Sequence, residues 1–251
     1  MTKNDDRIIE LEIVVPVYNE GKNIISLLED VRRHVETPYR VMICYDFDED
    51  DTLSAIEEYE HKDHAEIVPV KNTGRGPNMA VVTGLRHSTA PFVLTHMADD
   101  DFNADIIDKM IDRAKAGASV VAGSRFLPGG CMDGCVWYKK MLTVTANISM
   151  FVFGRAPIRD ATNGFKLFTR ELLDRVELES TEGFTYAIEL VAKAHRLGLR
   201  LDETPAKWYE RREGESRFQI IPWIKPYLRW YFFTFATTWL RRGPETMKPG
   251  K

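Results

Sequence analysis

The sequence predicts an α/β protein: a mostly parallel central sheet covered by helices on both faces. Two observations point there. Short Ile/Val-rich runs alternate with helix-length segments from residue 8 to residue 122. Polar and acidic clusters stand directly after several of those runs, where open parallel sheets carry their ligands. The composition agrees with a globular chain, at 44% hydrophobic and 29% charged residues, and 251 residues suit one large domain or one domain with an appendage.

Taken in order, Ile8 to Val17 reads as the first strand, ended by Pro16. Asn19 is placed to cap a helix from Glu20 to Val35. Arg40 to Tyr45 is a second strand, followed by the acidic loop Asp46 to Asp51 and a helix from Thr52 to Glu60. Glu66 to Val70 is a third strand, Asn72 to Asn78 a Gly/Pro loop, and Met79 to His87 a helix. Phe92 to His96 is a fourth strand running into Asp99-Asp100-Asp101; Ala104 to Ala116 is helical and Ser119 to Ala122 a fifth strand. Beyond Gly123 the pattern weakens. Phe126 to Val136 is loop, Trp137 to Phe153 helix, and Ile158 to Phe168 a polar and aromatic stretch expected to line a site. Gly183 to Leu197 is a helix, and Leu201 to Tyr209 an edge strand broken by Pro205. Residues 1–218 are expected to form the catalytic domain, 219–242 an aromatic helical segment, and 243–251 a disordered tail.

Several classes are excluded. A net charge of -4 does not fit a nucleic-acid binder. The three cysteines, Cys44, Cys131 and Cys135, suggest a reducing compartment without a disulfide framework. No stretch offers the roughly 20 apolar residues of a spanning helix. The polar start, Met1 to Asp6, is not a secretory signal. A cytoplasmic protein is expected.

Three polar clusters fall at the carboxyl ends of strands: Tyr18-Asn19-Glu20, Tyr45-Asp46 with Asp48, and Asp99 to Asp101. Like charges gathered on one edge repel, and a divalent cation such as Mg²⁺ or Mn²⁺ is one reason to gather them. Solubilising loop charge is the other reading, and it applies most to Asp48 through Asp51.

Val14-Val15-Pro16-Val17-Tyr18-Asn19-Glu20 resembles the opening motif of the inverting family 2 glycosyltransferases, which have the GT-A fold. Asp46 and Gly76-Pro77-Asn78-Met79-Ala80 match that family's acidic residue and Gly-rich loop. Gly123 to Phe126, Pro128-Gly129-Gly130, Asp160 to Lys166 and Arg211 to Arg217 resemble its dolichyl-phosphate mannose synthase subgroup, whose acceptors are polyprenyl phosphates. The resemblance spans roughly residues 8 to 218 and rests on six motifs in order.

That resemblance implies a nucleotide-sugar donor, GDP- or UDP-linked, held by Pro16, Tyr18, Glu20, Asp46, Gly76 and Asp99, with mannose or glucose as the sugar. The family's metal motif usually reads Asp-x-Asp, but here Met97-Ala98-Asp99 stands in its place. A thioether is a poor ligand for a hard cation, so Asp99 and Asp101 are the expected metal ligands. Arg125 and Lys166 are the expected cations for the leaving diphosphate. Arg211, Ser216 and Arg217 are expected to hold the acceptor phosphate. Such an acceptor sits in a membrane. The aromatics between Tyr227 and Trp239, flanked by Lys225, Arg229 and Arg241-Arg242, fit an interfacial helix that makes the protein peripheral on the cytoplasmic face. The alternatives are a soluble family 2 transferase with a saccharide or protein acceptor, or a non-catalytic nucleotide-sugar binder, the latter favoured by Met97.

Overall fold

The computed structural model describes residues 8–61, 65–210, 220–248 and 250. Its centre is strand β1 (Leu11–Pro16), buried over Leu11 to Val15. Parallel strands covered on both faces read as continuous apolar runs, and this one does, except for Glu12. Glu12 is fully buried and accepts from Arg40 and from the backbone amides of Thr89 at 2.6 Å and Ala90 at 3.0 Å.

β1 pairs in parallel with β2 (Tyr39–Tyr45) on one side and β4 (Phe92–Thr95) on the other. β3 (Glu66–Lys71) extends the sheet beyond β2, and β5 (Val120–Ser124) pairs in parallel with β7 (Leu201–Pro205) at the far side. Between the two groups lies β6 (Lys166–Thr169), antiparallel to both β4 and β5. The order is β3-β2-β1-β4-β6-β5-β7. The six mutually parallel strands therefore end at one edge, with Pro16 beside Cys44 and Val14 beside Thr95. Because β6 runs the other way, it begins at that same edge.

Alternation along the strands feeds two cores. Ile13, Val15, Val41 and Leu94 pack against α1 (Asn23–His34) and α4 (Ile107–Lys115). Val14, Met42, Cys44 and Val93 pack against α3 (Gly76–His87) and α7 (Tyr186–Arg196). Helix α3 lies so close to the sheet that a Cβ on Gly84 would stand 2.4 Å from Val14 Cγ1 and 2.7 Å from Cys44 Sγ. The shorter helices are α2 (Asp51–Glu57) and α6 (Arg170–Arg175); α5 (Trp137–Val152) and α8 (Ile220–Trp239) complete the set.

Several expectations are corrected. Asn19 is no cap: its φ is 50° and α1 begins at Asn23. β7 stops at Pro205, as a residue without an N–H would have it. α8 is no free appendage, since its inner face belongs to the same core as α3 and α7. Trp230 is 2% exposed and its indole N–H donates to Ser180 Oγ at 2.9 Å. Arg196 donates to the Phe233 carbonyl at 2.8 Å and lies over its ring. The tail expected to be disordered from Gly243 instead forms a 3₁₀ turn at Pro244–Thr246, and Met247 packs on the second core.

Candidate active site

The carboxyl edge of the sheet opens into a cavity of about 1010 Å³. On one side stand the loops after β1, β2 and β4. The β1 loop is built by the acidic segment after β2. Asn19 N–H donates to Asp50 Oδ2 at 3.0 Å, Glu20 N–H to Thr52 Oγ1 at 3.0 Å, and Gly21 N–H to Asp51 Oδ1 at 2.8 Å. Asp50 and Asp51 are thus amide acceptors that shape the loop. Asp48 pairs at the surface with Lys71. Pro16, Tyr18 and Glu20 line the cavity as a result.

Asp46, at the end of β2, also lines it. One of its oxygens accepts from Asn72 Nδ2 at 2.6 Å and the other from Gly76 N–H at 2.8 Å. Gly76 has a φ of +80°, which favours glycine, and Pro77 follows in the first turn of α3. The carboxylate thereby ties the Gly/Pro loop to the strand.

After β4 the chain turns through Met97, Ala98, Asp99 and Asp100, all of which line the cavity. Asp99 is exposed to it. Asp100 is bound by Asn103 Nδ2 at 2.8 Å, and burial pushes its carboxyl up to about 7. Asp101 is exposed but is not among the lining residues. His96, just before, is fully buried; burial pulls its imidazole down to about 4, and its Nε2 has no partner.

Whether this edge fits a divalent cation turns on its carboxylates. Among the described residues no three His, Cys, Asp or Glu side chains group as a ready cage. Mg²⁺ and Mn²⁺ at diphosphate sites are usually held by one or two carboxylates plus phosphate oxygens and water. Asp99 facing the cavity fits a cation that arrives with a diphosphate, whereas Asp101, expected as the second ligand, does not line the cavity. Met97 contributes a thioether that packs near Gly164.

The opposite wall comes from the second half of the chain. Arg125, after β5, donates from Nε to Asp160 Oδ2 at 2.7 Å and from Nη2 to Asp160 Oδ1 at 2.8 Å and Thr162 Oγ1 at 3.0 Å. Burial opposes both charges, but their mutual attraction prevails: Asp160 is held below the usual carboxylate range and Arg125 above its own. Arg125 lines the cavity, so its orientation is fixed before any ligand arrives. Lys166 does not meet its expectation. It is fully buried, donates to the Asn163 carbonyl and is absent from the cavity wall; burial pulls its ammonium down to about 7. The wall is made instead by Thr162, Asn163 and Gly164, which lead into the antiparallel β6. Arg211, Ser216 and Arg217 lie outside the described residues.

Sequence reasoning missed three contributors. Lys207, Trp208 and Tyr209 line the cavity directly after β7; the rule that strand ends carry sites reaches them once β7 is ended at Pro205. Lys139, Leu142, Ala146 and Ser149 of α5 form a side wall, facing Tyr227, Leu228 and Tyr231 of α8. The two helices are joined where Ser149 Oγ and Tyr231 OH share a hydrogen bond of 2.9 Å.

The chain is an open α/β sheet with one antiparallel strand, carrying acidic and glycine-rich loops along its carboxyl edge. Solved structures agree on the fold. Glucosyl-3-phosphoglycerate synthase from Mycobacterium tuberculosis, in complex with Mn²⁺, UDP and phosphoglyceric acid, superposes with a TM-score of 0.62 at 16% identity, covering 91% of this chain and 78% of that one. A mannosyltransferase from Pyrobaculum calidifontis, in complex with GDP-Man and Mn²⁺, gives 0.59 at 21% identity over 95% of this chain and 66% of that one. The chain belongs to glycosyl transferase family 2, whose family model matches residues 12–177. Polyprenol monophosphomannose synthase of Mycolicibacterium smegmatis is 28% identical over 82% of this chain and 79% of the relative. Dolichol-phosphate mannosyltransferase of Pyrococcus furiosus is 23% identical over 88% of this chain and 64% of the relative.

Proposed function

We propose that this glycosyltransferase moves a sugar of the mannose or glucose class from a GDP- or UDP-sugar to a polyprenyl phosphate, with inversion, at a membrane surface. The observation that carries the reading is the lining of the cavity at the carboxyl edge. That lining combines the strand-end residues Asp46, Gly76 and Asp99 with the apolar side chains of Leu142, Ile188, Ile224 and Leu228 from the flanking helices. An acceptor with a phosphate head and a hydrocarbon tail matches that mixed lining, whereas a saccharide acceptor would leave the apolar side chains unused.

In this reading Pro16, Tyr18, Glu20, Asp46 and Gly76 hold the nucleotide. Asp99 would hold the divalent cation, which when bound neutralises charge on the leaving diphosphate. An acceptor phosphate oxygen attacks the anomeric carbon as the bond to the diphosphate breaks, and the electron pair leaves on the diphosphate oxygen. The attacking oxygen is already anionic at neutral pH, so no general base is required. Arg125, clamped by Asp160 and Thr162, is placed to stabilise phosphate charge without reorganising. Lys139 and Lys207 add positive charge to the same wall, and Arg211, Ser216 and Arg217 remain the proposed partners of the acceptor phosphate. Among the described residues no helix is long and apolar enough to cross a membrane, so a surface association through α8 is the form proposed.

The test is a transfer assay in which GDP-mannose and UDP-glucose are each offered with Mn²⁺ and a polyprenyl phosphate, and the lipid product is read by mass spectrometry. One donor is expected to give a glycosyl phospholipid. Transfer only to free sugars or protein, with none to the lipid phosphate, would replace this reading with the soluble-acceptor one.

A further inference from the structure

Two helices of this protein turn apolar rows toward solvent. On α5, Trp137, Met141, Ile148 and Val152 are exposed and recur at helical spacing, so they share one face. Trp137 is 73% exposed. On α8, Ile224, Leu228, Phe232 and Trp239 form a second row, on the side away from the buried Trp230 and Thr234. Isolated exposed apolar residues are ordinary, but rows running the length of two neighbouring helices mark a contact surface. The helices touch, since Trp239 Nε1 donates to the Phe153 carbonyl at 2.8 Å.

Charge says what the surface meets. From Trp137 to Arg159 the chain carries Lys139, Lys140, Arg155 and Arg159 and no carboxylate. From Ile220 to Arg242 it carries Lys225, Arg229, Arg241 and Arg242 and again no carboxylate, in a protein whose net charge is -4. A second copy docked by a two-fold axis would bring these cations against their own kind. Arg229 and Arg159 are also paired within the fold, with Glu179 and Glu203, but the face stays cationic in sequence, and an anionic lipid surface attracts it while taking up the aromatic and aliphatic rows. The surface is also continuous with the active site: Leu142 of α5 and Ile224 and Leu228 of α8 are at once exposed and part of the cavity wall.

We infer that α5 and α8 together form one bilayer-docking face, and that the cavity opens to the lipid between them. The inference builds on the lipid-acceptor reading and adds α5 as a membrane-contacting element equal to α8. The acceptor then enters sideways from the bilayer, head toward Arg125 and tail between the helices.

The experiment is co-sedimentation of the full chain with vesicles of phosphatidylcholine alone and of phosphatidylcholine with phosphatidylglycerol. Binding is expected to the anionic vesicles. The double variant Trp137→Ser, Met141→Ser should lower partitioning about tenfold or more, from the apolar area lost, and Phe232→Ser should lower it too. Neither α5 residue lines the cavity, so transfer to a short-chain, water-soluble polyprenyl phosphate should stay as in the parent. If the α5 variant binds vesicles like the parent, or the parent ignores anionic vesicles, the inference is overturned. A parent that ignores vesicles but forms a dimer dissolved by Trp137→Ser would make the face a subunit contact. Failure of the parent to glycosylate any polyprenyl phosphate, with vesicle binding intact, would count against the functional reading and leave the docking face standing.

Discussion

At the scale of single residues, burial separates the charged groups that face the cavity from those that support it. Arg125 and Asp160 form a forked pair, and only Arg125 reaches the wall. Lys166, six residues after Asp160, is sealed beneath. The sequence shows both cations inside matching motifs, and nothing in residue type or spacing tells the exposed one from the buried one. That difference arises from the direction of β6, which pairing between distant segments sets. Asp46 and Asp99 were legible because each follows an apolar run at a strand end. His96 makes a testable case of burial. Its imidazole titrates near 4 when folded against an ordinary value near 6.5. The unfolded chain therefore takes up a proton below pH 6.5 that the folded chain refuses until about pH 4. Stability from this group is full above pH 6.5 and is lost as pH falls toward 4, on the order of 3 kcal/mol across the window. His96→Gln should flatten that part of the stability-against-pH curve in urea melts at a series of pH values, whatever it does to stability at pH 8. An unchanged acid limb would show that another group sets it.

Among the elements, α3 shows how packing positions chemistry. Its first turn carries Gly76 to Ala80 into the cavity wall, and its middle is set against β1 and β2 at Gly84. Gly84→Ala would drive a methyl into Val14 and Cys44, both buried in rigid sheet. Overpacking of this kind costs about 1–3 kcal/mol. The expected result is a lower urea midpoint together with weaker nucleotide-sugar binding, because the helix must lift and carry Gly76 away from Asp46. A variant that loses stability but binds the donor as tightly as the parent would separate the two effects. The strand–helix alternation up to β5 was readable because each segment has its own period. α8 was harder: apolar on both sides, it gives no stripe to choose between. The structure divides it, with Trp230 and Thr234 inward and Phe232 and Trp239 outward.

At the scale of the whole molecule, the cation and the donor are expected to bind as a unit. Among the described residues no three carboxylates group as a cage, so Mn²⁺ alone should barely move the thermal midpoint, while Mn²⁺ with the correct nucleotide-sugar should raise it well beyond the nucleotide-sugar alone. At a hundredfold excess over Kd the stabilisation is about 2.7 kcal/mol. Asp99→Ala should erase the metal-dependent increment; a full increment in that variant would move the cation elsewhere. The chain order adds a different consequence. Apart from Arg125, expected at the leaving diphosphate, the residues proposed to hold the donor lie before residue 102, and those proposed to meet the acceptor lie after Ser124. The loop at 116–118, between α4 and β5, sits at the opposite edge of the sheet from the cavity. Crossover there between relatives would exchange the receiving half as a cassette and keep the delivering half intact. The constraint on such a hybrid is β6, which the second half must thread back between β4 and β5 with Lys166 beside both Thr95 and Ala122. A hybrid that preserves that one ladder is expected to change its acceptor while keeping the sugar donor of the first half.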